Sequence, residues 1–596
     1  MLRACSIIDT FFKAASAVLI LCVSLQSAIV ITEIHYHPLG GPDTADKNLY
    51  EFIEIKNTGN TSRGMDRCKF IDGIEYSFPA GCRLEAGEFI VLAADSSRFE
   101  QRYGFAPFGI YNGKLSNGGE RITLVDTLGE ELIADFEYDD KIPWPLSADG
   151  SGFSLVPVNS SGDGAPEDPD YWRASSFVHG SPGSDDTEPS EPPVVYVNEI
   201  LTHTDEPSCD AVELFNPSDT AADISGWFIT DNKQKPKKFR IPDGTEIEPK
   251  GYVVFDEGDF NKSSDPDAFA FSSHGEGAYI FSALDGELTG YSHGFSYGEI
   301  DNGVSFGRYV TSAGEEHCVA MVQPTLGKPN SSPRVGPLVI TEINYNPSTS
   351  VPYVEIKNIS AQRVDLFDPL RPANTWEVNG LRFKFPPNVT LSADEVVVLV
   401  SDQVDASTFR AINGLDQSIK VFTFAGTLRT GGEALTIRMP CDPYLDDTSP
   451  DSIIPYMDID RVSYSDDDPW PLCSTGSTLY RKNPAEYGDD PANWSVSSTS
   501  PGTPVLNSDE KKSGEKLSIL PIGKNMIRLV FPLKTSGSVD YTMTDLRGVM
   551  VKSARKKFPS GINSLDIDIR DLTSGAYVLR VQADGVSRKS MAVIGK

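Results

Sequence analysis

The chain contains the stretch VITEIHYHP at residues 30–38, and similar stretches, VYVNEI and VITEINYNP, begin at residues 195 and 339. A second set of similar runs follows them: YEFIEIKN at 50–57, AVELFN at 211–216 and YVEIKN at 353–358. Apolar and polar residues alternate in both sets, which is typical of half-buried β-strands. The chain is therefore predicted to contain one β-rich domain three times.

Further elements recur in the same order. Glycine turns precede apolar strands at NGGE (117–120), HGEG (274–277) and TGGE (430–433), where glycine suits a tight turn of positive φ. The copies end in GSPG (180–183), QPTLGKP (323–329) and SPGTP (500–504). A Trp-Pro pair at Trp144 and at Trp470 has no counterpart in the middle copy. Copies one and three are thus more alike than either is to copy two.

The spacing of the copies suits independent domains. Glu33, Glu199 and Glu342 occupy equivalent positions 166 and 143 residues apart, too long for a solenoid unit but right for a β-sandwich. The joints between copies are rich in Ser and Pro. We expect an all-β protein with domains at 29–184, 194–330 and 337–505.

Residues 1–28 are predicted to be an export signal. Arg3 and Lys13 flank the start, residues 14–25 are almost wholly apolar, and Ser27-Ala28 offers a cleavage point. The apolar run is short for a membrane span, although an N-terminal anchor is the alternative. After removal of the signal, the chain is not expected to span a membrane.

Six cysteines lie outside this signal: Cys68, Cys82, Cys209, Cys318, Cys441 and Cys473. Six cysteines allow 15 pairings, but only one keeps every pair within a predicted domain. We therefore expect disulfides Cys68–Cys82, Cys209–Cys318 and Cys441–Cys473, formed in an oxidising compartment.

The charge of the chain is uneven. The net charge is −33, yet residues 511–596 hold 16 Lys and Arg against 7 Asp and Glu, so the other residues sum to −42. An acidic body of this size repels phosphates and argues against a nucleic-acid partner. It could hold divalent cations, but a solvated acidic surface is the favoured interpretation.

The repeated I-x-E-I opening, the E-[IL]-x-N strand, the G-G-E turn and the S-P-G ending resemble the lamin-tail domain of secreted bacterial proteins. The resemblance covers roughly 29–184, 194–330 and 337–505. It implies three tandem immunoglobulin-like β-sandwiches without catalytic activity, acting in binding, scaffolding or surface architecture.

Residues 517–596 form a different unit after a polar linker at 507–516. The runs LTSGAYVLRV (572–581) and SMAVI (590–594) resemble the C-terminal sorting domain of type IX secretion substrates. This resemblance implies a smaller C-terminal β-sandwich and the type IX secretion machinery as a partner. It also implies a protein that is secreted from, or held on the outer surface of, a bacterium with an outer membrane.

Two acidic patterns could carry a metal. Glu33, His35 and His37 share one face of a regular strand, so they are candidate metal ligands. The third copy has Glu342 and two asparagines there, so such a site would exist in one copy only, and a polar strand end is the alternative. The acidic loops at 446–447 and 466–468 are weak calcium candidates, because they lack the spaced pattern of a calcium loop.

Other recurring side chains have two interpretations. Glu33, Glu199 and Glu342 with Glu54, Glu213 and Glu355 could be paired carboxylates for acid–base catalysis, but recurrence in every copy favours a contact of the fold. Trp144 and Trp470 could stack on sugars, but recurrence again favours core packing. The sequence contains no nucleophile elbow, P-loop, dinucleotide fingerprint or HExxH motif.

Two functions follow from these patterns. The first is a non-catalytic exported protein that binds, adheres or scaffolds, with an unknown surface protein or a polysaccharide as its partner and multivalency as its mechanism. The second is a secreted hydrolase with a carboxylate or metal site in one repeat. The first is favoured, and no catalytic or cofactor-binding residue is assigned.

Overall fold

The fold was obtained as a computed structural model of the 596-residue chain. It describes the residues 29–41, 46–127, 131–187, 192–348, 351–445, 452–498, 501–502, 518–522, 526–533, 537–545, 550–558, 561–570, 572, 575–583 and 586–594. The predicted signal peptide and the linker at 507–516 lie outside this set. The predicted domain boundaries stay a prediction and serve below to group the strands.

The first domain contains two facing sheets. Its strands are Ile29–His35 (β1), Phe52–Asn57 (β2), Arg63–Gly64 (β3), Cys68–Asp72 (β4), Ile74–Ser77 (β5), Arg83–Leu84 (β6), Phe89–Ala93 (β7), Gly109–Ile110 (β8), Asn112–Gly113 (β9), Glu120–Asp126 (β10), Glu131–Tyr138 (β11), Leu155–Pro157 (β12) and Trp172–Ala174 (β13). One sheet has the order β13-β12-β1-β2-β7-β8 and the other β11-β10-β4-β5-β9. A helix, Ser96–Tyr103 (α1), follows β7.

The second domain repeats this plan with fewer strands. They are Tyr196–Leu201 (β14), Ala211–Phe215 (β15), Ala222–Asp223 (β16), Phe228–Thr230 (β17), Phe239–Arg240 (β18), Glu246–Ile247 (β19), Tyr252–Asp256 (β20), Glu276–Leu284 (β21), Glu287–Tyr297 (β22), Ser305–Val310 (β23) and Glu316–Ala320 (β24). The sheets have the orders β20-β15-β14-β23-β24 and β18-β17-β21-β22. A four-residue helix, Glu257–Phe260 (α2), follows β20.

The third domain repeats it again. Its strands are Leu338–Asn344 (β25), Tyr353–Asn358 (β26), Val364–Asp365 (β27), Phe367–Asp368 (β28), Arg371–Thr375 (β29), Glu377–Asn379 (β30), Phe383–Lys384 (β31), Thr390–Leu391 (β32), Val396–Ser401 (β33), Lys420–Phe424 (β34), Gly432–Pro440 (β35), Tyr444–Leu445 (β36), Ser452–Ile453 (β37), Tyr456–Ser465 (β38), Ser477–Arg481 (β39) and Trp494–Ser498 (β40). Its main sheets run β34-β33-β26-β25-β39-β40 and β31-β30-β35-β38, and Ala406–Asn413 (α3) follows β33.

The C-terminal unit is smaller. Its strands are Ser518–Ile522 (β41), Met526–Leu533 (β42), Gly537–Asp545 (β43), Met550–Phe558 (β44), Gly561–Asp568 (β45), Gly575–Ala583 (β46) and Val586–Ile594 (β47). They form sheets of order β41-β42-β45 and β44-β43-β46-β47. Four β-rich units in tandem, each with two sheets around its own apolar cluster, confirm the predicted all-β class.

All three repeats share a β-bulge in the opening strand. The pairing register shifts between Ile31 and Glu33, between Val197 and Glu199, and again between Ile340 and Glu342. A bulge sets two residues against one on the partner strand. Simple alternation, which the sequence suggested, therefore breaks at this point: Ile31 and Ile34 both face the core, although they are three residues apart.

Copies one and three differ from copy two on the outer face of the first sheet. Phe99 of α1 and Phe409 of α3 are buried against that face, on Phe52 and Tyr353 respectively. A strand then runs parallel to β7 or β33. The sequence contains the signal for both helices, an aspartate N-cap and a glycine C-cap, which our interpretation missed.

The three predicted disulfides are not formed, since all six cysteines are free in the described part of the chain. The third pair is separated most clearly. Cys473 is buried in the core, and its backbone amide donates a hydrogen bond to the Tyr345 hydroxyl. Cys441 instead lies beside the carbonyl of Met439, near Glu299 of the second domain. In the second pair, Cys318 faces the core and Cys209 is exposed on a loop. Cys68 and Cys82 are two buried thiols of the first core.

Candidate functional site

The bulge in β1 turns two neighbouring side chains toward the end of the first domain. Glu33 and Glu54 are paired across β1 and β2. Glu33 accepts a hydrogen bond from the amide of Ser181 at 2.9 Å, and Glu54 accepts one from the amide of Gly183 at 2.5 Å. Thr32, the bulged residue, donates to the other oxygen of Glu54 at 2.7 Å. The two carboxyls thus hold the SPG segment, which we name the closing loop.

The second domain contains the same arrangement. Glu199 accepts hydrogen bonds from the amide and the hydroxyl of Thr325, both at 2.8 Å. Glu213 accepts the amide of Gly327 and, at 2.7 Å, the side-chain amide of Asn198. Residues 325–327 are therefore the closing loop of this copy.

In the third domain, Glu355 accepts the amide of Gly502 and the hydroxyl of Thr341, both at 2.7 Å. Glu342, its partner across β25 and β26, accepts the hydroxyl of Tyr353. Gly183, Gly327 and Gly502 all have positive φ, so glycine suits each closing loop.

Burial raises the pKa of the carboxyl in three of these glutamates. All six glutamates are at most 6% exposed. Burial is the largest influence on Glu54, Glu213 and Glu355, and it raises the pKa of each to about 7. Recurrence, burial and bonding to backbone amides make the pairs part of the fold, as the sequence pattern favoured.

The metal candidates of the first copy are used in different contacts. His35 is fully buried beside Phe52, and burial holds its pKa well below the usual range. His37 Nδ1 lies 2.5 Å from Asp149, whose other oxygen pairs with Lys233 of the second domain. Glu33 bonds to neither histidine but to Ser154 and the closing loop.

Among the described residues, no group of three or more His, Cys, Asp or Glu side chains is placed to hold a metal ion. This includes Glu33, His35 and His37. The calcium candidates at 446–447 lie outside the described residues, and Asp466, Asp467 and Asp468 are exposed without forming such a group.

The recurring tryptophans and turn glutamates also serve the fold. The ring centres of Trp144 and Trp172 lie 6.4 Å apart, and those of Trp470 and Trp494 lie 6.2 Å apart. All four rings belong to the cores. In the GGE turn, Glu120 accepts the amide of Ser116 at 2.7 Å and closes its own turn.

The first and second domains are joined by polar and apolar contacts. Leu146 packs on Tyr279 and Phe281. Ser151 donates to the backbone oxygen of Lys233 at 2.9 Å, next to the ion pair of Lys233 with Asp149.

The second and third domains meet at Asp490. Its carboxylate accepts the hydroxyl of Tyr309 at 3.1 Å and both the amide and the hydroxyl of Ser312. Nearby, Nδ1 of His317 lies 3.0 Å from the hydroxyl oxygen of Tyr487. These contacts place three domains around one space.

That space is a cleft of about 920 Å³, lined by residues 140–146 of the first domain, by β22 and β24 of the second and by β38 of the third. We name it the three-domain cleft. Seven acidic, five basic and six aromatic residues line it. Sequence reasoning missed it, because each wall comes from a different repeat and no motif marks such a junction.

Two protein-family models match segments of the sequence. The model of the Lamin Tail Domain matches residues 23–140 and 188–295, and that of the Secretion system C-terminal sorting domain matches 524–594. The chain thus combines lamin-tail domains with a type IX sorting domain, and neither is a catalytic family. It is an exported protein that reaches the cell surface or beyond and engages the type IX secretion machinery.

Two solved structures are distantly similar to the chain. A DUF4876 family protein from Bacteroides thetaiotaomicron VPI-5482 is 12% identical, with 53% of this chain and 96% of that chain covered and a TM-score of 0.17. A biofilm-associated protein, BSP domain, is 9% identical, with 95% and 96% covered and a TM-score of 0.15. No curated protein matches the chain.

Within the described residues, no helix has the length and apolar character needed to cross a membrane.

Proposed function

We propose that this exported protein is non-catalytic and acts in binding, adhesion or scaffolding through its tandem lamin-tail-like domains. The observation that carries the proposal is the repeated use of the glutamate pairs. A general acid or base must reach the substrate, but Glu33 and Glu54 are each 1% exposed and bonded to the closing loop.

The mechanism we propose is binding by one continuous body. Contacts of Asp149 with Lys233 and of Asp490 with Ser312 join neighbouring domains. Such a body presents its surfaces in fixed positions, and this lowers the ordering cost of binding compared with freely tethered domains. The proposed partner is a surface protein or a polysaccharide.

The test uses the full-length exported protein. It is applied to immobilised cell-surface polysaccharides and cell-surface proteins, and in parallel to a hydrolase screen with and without divalent metal. We expect retention on one class of partner and no turnover. The alternative, a hydrolase with a site in the first repeat, predicts turnover that is lost in Glu33→Gln and His37→Ala but kept in Glu199→Gln. That result would overturn the proposal.

A further inference from the structure

Three sheet edges border the three-domain cleft. Among the described residues, β22 and β24 are the last strands of the two sheets of the second domain, and β38 is the last strand of a sheet of the third. An edge strand has a row of backbone amide and carbonyl groups that no neighbouring strand pairs. The cleft therefore offers backbone hydrogen-bonding groups on opposite walls.

The edge of β38 gives the cleft its longest run of strand residues, and beyond this run Asp489 accepts the amide of Ser463. Six consecutive residues, 456–461, line the cleft, and β38 pairs on one side only, with β35. These residues span about 20 Å at the usual rise of a strand, which matches an ordinary strand of five or six residues. The edge of β24 is partly covered, because Arg334 donates its amide to the Ala320 carbonyl.

The charges of the cleft favour a cationic ligand. Each basic residue of the lining already pairs with an acid: Lys141 with Asp139, Lys233 with Asp149, Arg334 with Asp301, Arg438 with Glu377 and Arg461 with Asp489. Asp140 and Asp458 form an ion pair with no residue that the structure describes. Two carboxylates are thus left for a ligand.

Asp458 lies on the edge strand itself. Asp458 is exposed at the cleft. Desolvation by the surrounding protein raises the pKa of its carboxyl, although the nearby Arg438 and Arg461 act to lower it. Both arginines already pair with acids of their own, Glu377 and Asp489, so neither forms an ion pair with Asp458. Glu377 is shared with Lys384. A basic side chain placed opposite Asp458 would supply the ion-pair partner that this carboxylate lacks among the described residues.

We propose that the three-domain cleft binds an extended peptide segment with basic side chains, which adds as a strand to the edge of β38. Backbone hydrogen bonds to residues 456–461 hold the segment, as in other cases of strand addition. Asp458 and Asp140 bind its basic side chains. The aromatic walls, including Phe295 and Phe306, cover its apolar residues. This inference rests on the proposed binding function and names the class of partner.

The test measures binding of four probes to the full-length protein by fluorescence anisotropy or calorimetry. They are a capped octapeptide of alternating Lys and Val, the same peptide with alternate amides N-methylated, a Glu–Val octapeptide, and a neutral cello-oligosaccharide. We expect the Lys–Val peptide alone to bind, and to bind more weakly as salt rises. N-methylation removes donors for strand pairing and keeps the charge, so equal binding of that peptide would overturn strand addition.

Variants locate the site. Asp458→Asn is expected to weaken the Lys–Val peptide roughly three- to fivefold, as for other partly exposed ion pairs. Asp467→Asn, an exposed aspartate outside the cleft, is the matched control and should leave the affinity unchanged. An equal effect of both variants would contradict the site.

The two proposals fail differently. Binding of the oligosaccharide in place of the Lys–Val peptide, sensitive to Asp458→Asn, would overturn the peptide and leave the binding function intact. Retention of the protein on no surface polysaccharide or protein would overturn the binding function itself.

Discussion

Glu33 and Glu54 are paired across the first two strands, and together they hold the backbone amides of Ser181 and Gly183, more than 120 residues further along the chain. In the folded chain the closing loop is therefore docked on the opening hairpin at its bulge. Each domain is held together from its first strand to its last loop by buried carboxyls, because a buried carboxyl needs hydrogen-bond donors and the closing loop supplies them.

This relationship predicts an unusual dependence of stability on pH. Burial raises the pKa of Glu213 to about 7, above the usual 4.5 of the unfolded chain, so the folded second domain binds the proton more tightly. The contribution of Glu213 is fully present below pH 4.5 and is lost as the pH rises through 7. Relative to the Glu213→Gln variant, the free energy of unfolding of the wild-type domain should fall by up to about 3 kcal/mol between pH 4 and pH 8.

Hydrogen exchange of peptides from 196–215, compared between wild type and variant at each pH, measures this difference in the second domain alone. Glu248→Gln changes an exposed glutamate of the same domain and should show a constant difference. If the difference in protection between wild type and Glu213→Gln is also the same at every pH, Glu213 is not the source of the pH dependence.

The GGE turn makes a second prediction. Gly119 has a φ of +91°, and a Cβ there would lie 2.4 Å from the Tyr138 carbonyl oxygen. Gly119→Ala should therefore destabilise the first domain by about 2–4 kcal/mol, through strain and overlap together. Gly118→Ala is the matched control, because a Cβ at Gly118 meets nothing within 4 Å. Protection of the 120–138 hairpin against hydrogen exchange reports both effects, and similar losses for the two variants would refute the account.

Much of this fold could be predicted from the sequence, because its signals are local. Strand alternation, glycine turns and the repeated I-x-E-I and E-[IL]-x-N runs mark the opening hairpin of every copy. The asparagines of these runs illustrate this: Asn57 bonds the carbonyls of Thr61 and Leu84, and its counterparts do the same in their own copies. Recurrence of a polar residue in every copy was thus a sound sign of a structural role.

The rest depends on contacts between distant residues, which no local pattern encodes. The bulge at Thr32 makes Glu33 and Glu54 converge on the closing loop, and alternation alone could not place them there. Counting cysteines per domain takes no account of where each side chain points, so it paired the half-buried Cys318, which packs against the core, with the exposed Cys209. The three-domain cleft arises where unrelated segments of three repeats meet, so it could be found only in the structure.

The cysteines provide a third prediction. Burial raises the pKa of the Cys318 and Cys441 thiols to about 12 and those of Cys68 and Cys473 to about 11, so these groups are poor nucleophiles at neutral pH. In native protein at pH 7.5, iodoacetamide should modify the exposed Cys209 first. After unfolding without reductant, the chain from Ile29 onward should show six reactive thiols by mass spectrometry. Each disulfide would remove two thiols from this count, so four or fewer would contradict the free cysteines, and zero would restore the three predicted pairs.

The contact of the second and third domains makes the last prediction. The double variant Tyr309→Phe, Ser312→Ala removes two hydroxyl donors from Asp490, a carboxylate that is 9% exposed, and keeps its bond to the Ser312 amide. Loss of these donors should weaken the contact by about 1–3 kcal/mol, because a desolvated charge is left with fewer partners.

The cleft should widen in this variant, since His317 and Tyr487 beside Asp490 line it. Small-angle scattering should then show a larger radius of gyration, and the Lys–Val peptide should bind more weakly although Asp458 is intact. Ser263→Ala, on an exposed loop of the second domain, should change neither quantity. An unchanged scattering curve with unchanged peptide affinity in the double variant would mean that Asp490 does not set the width of the cleft.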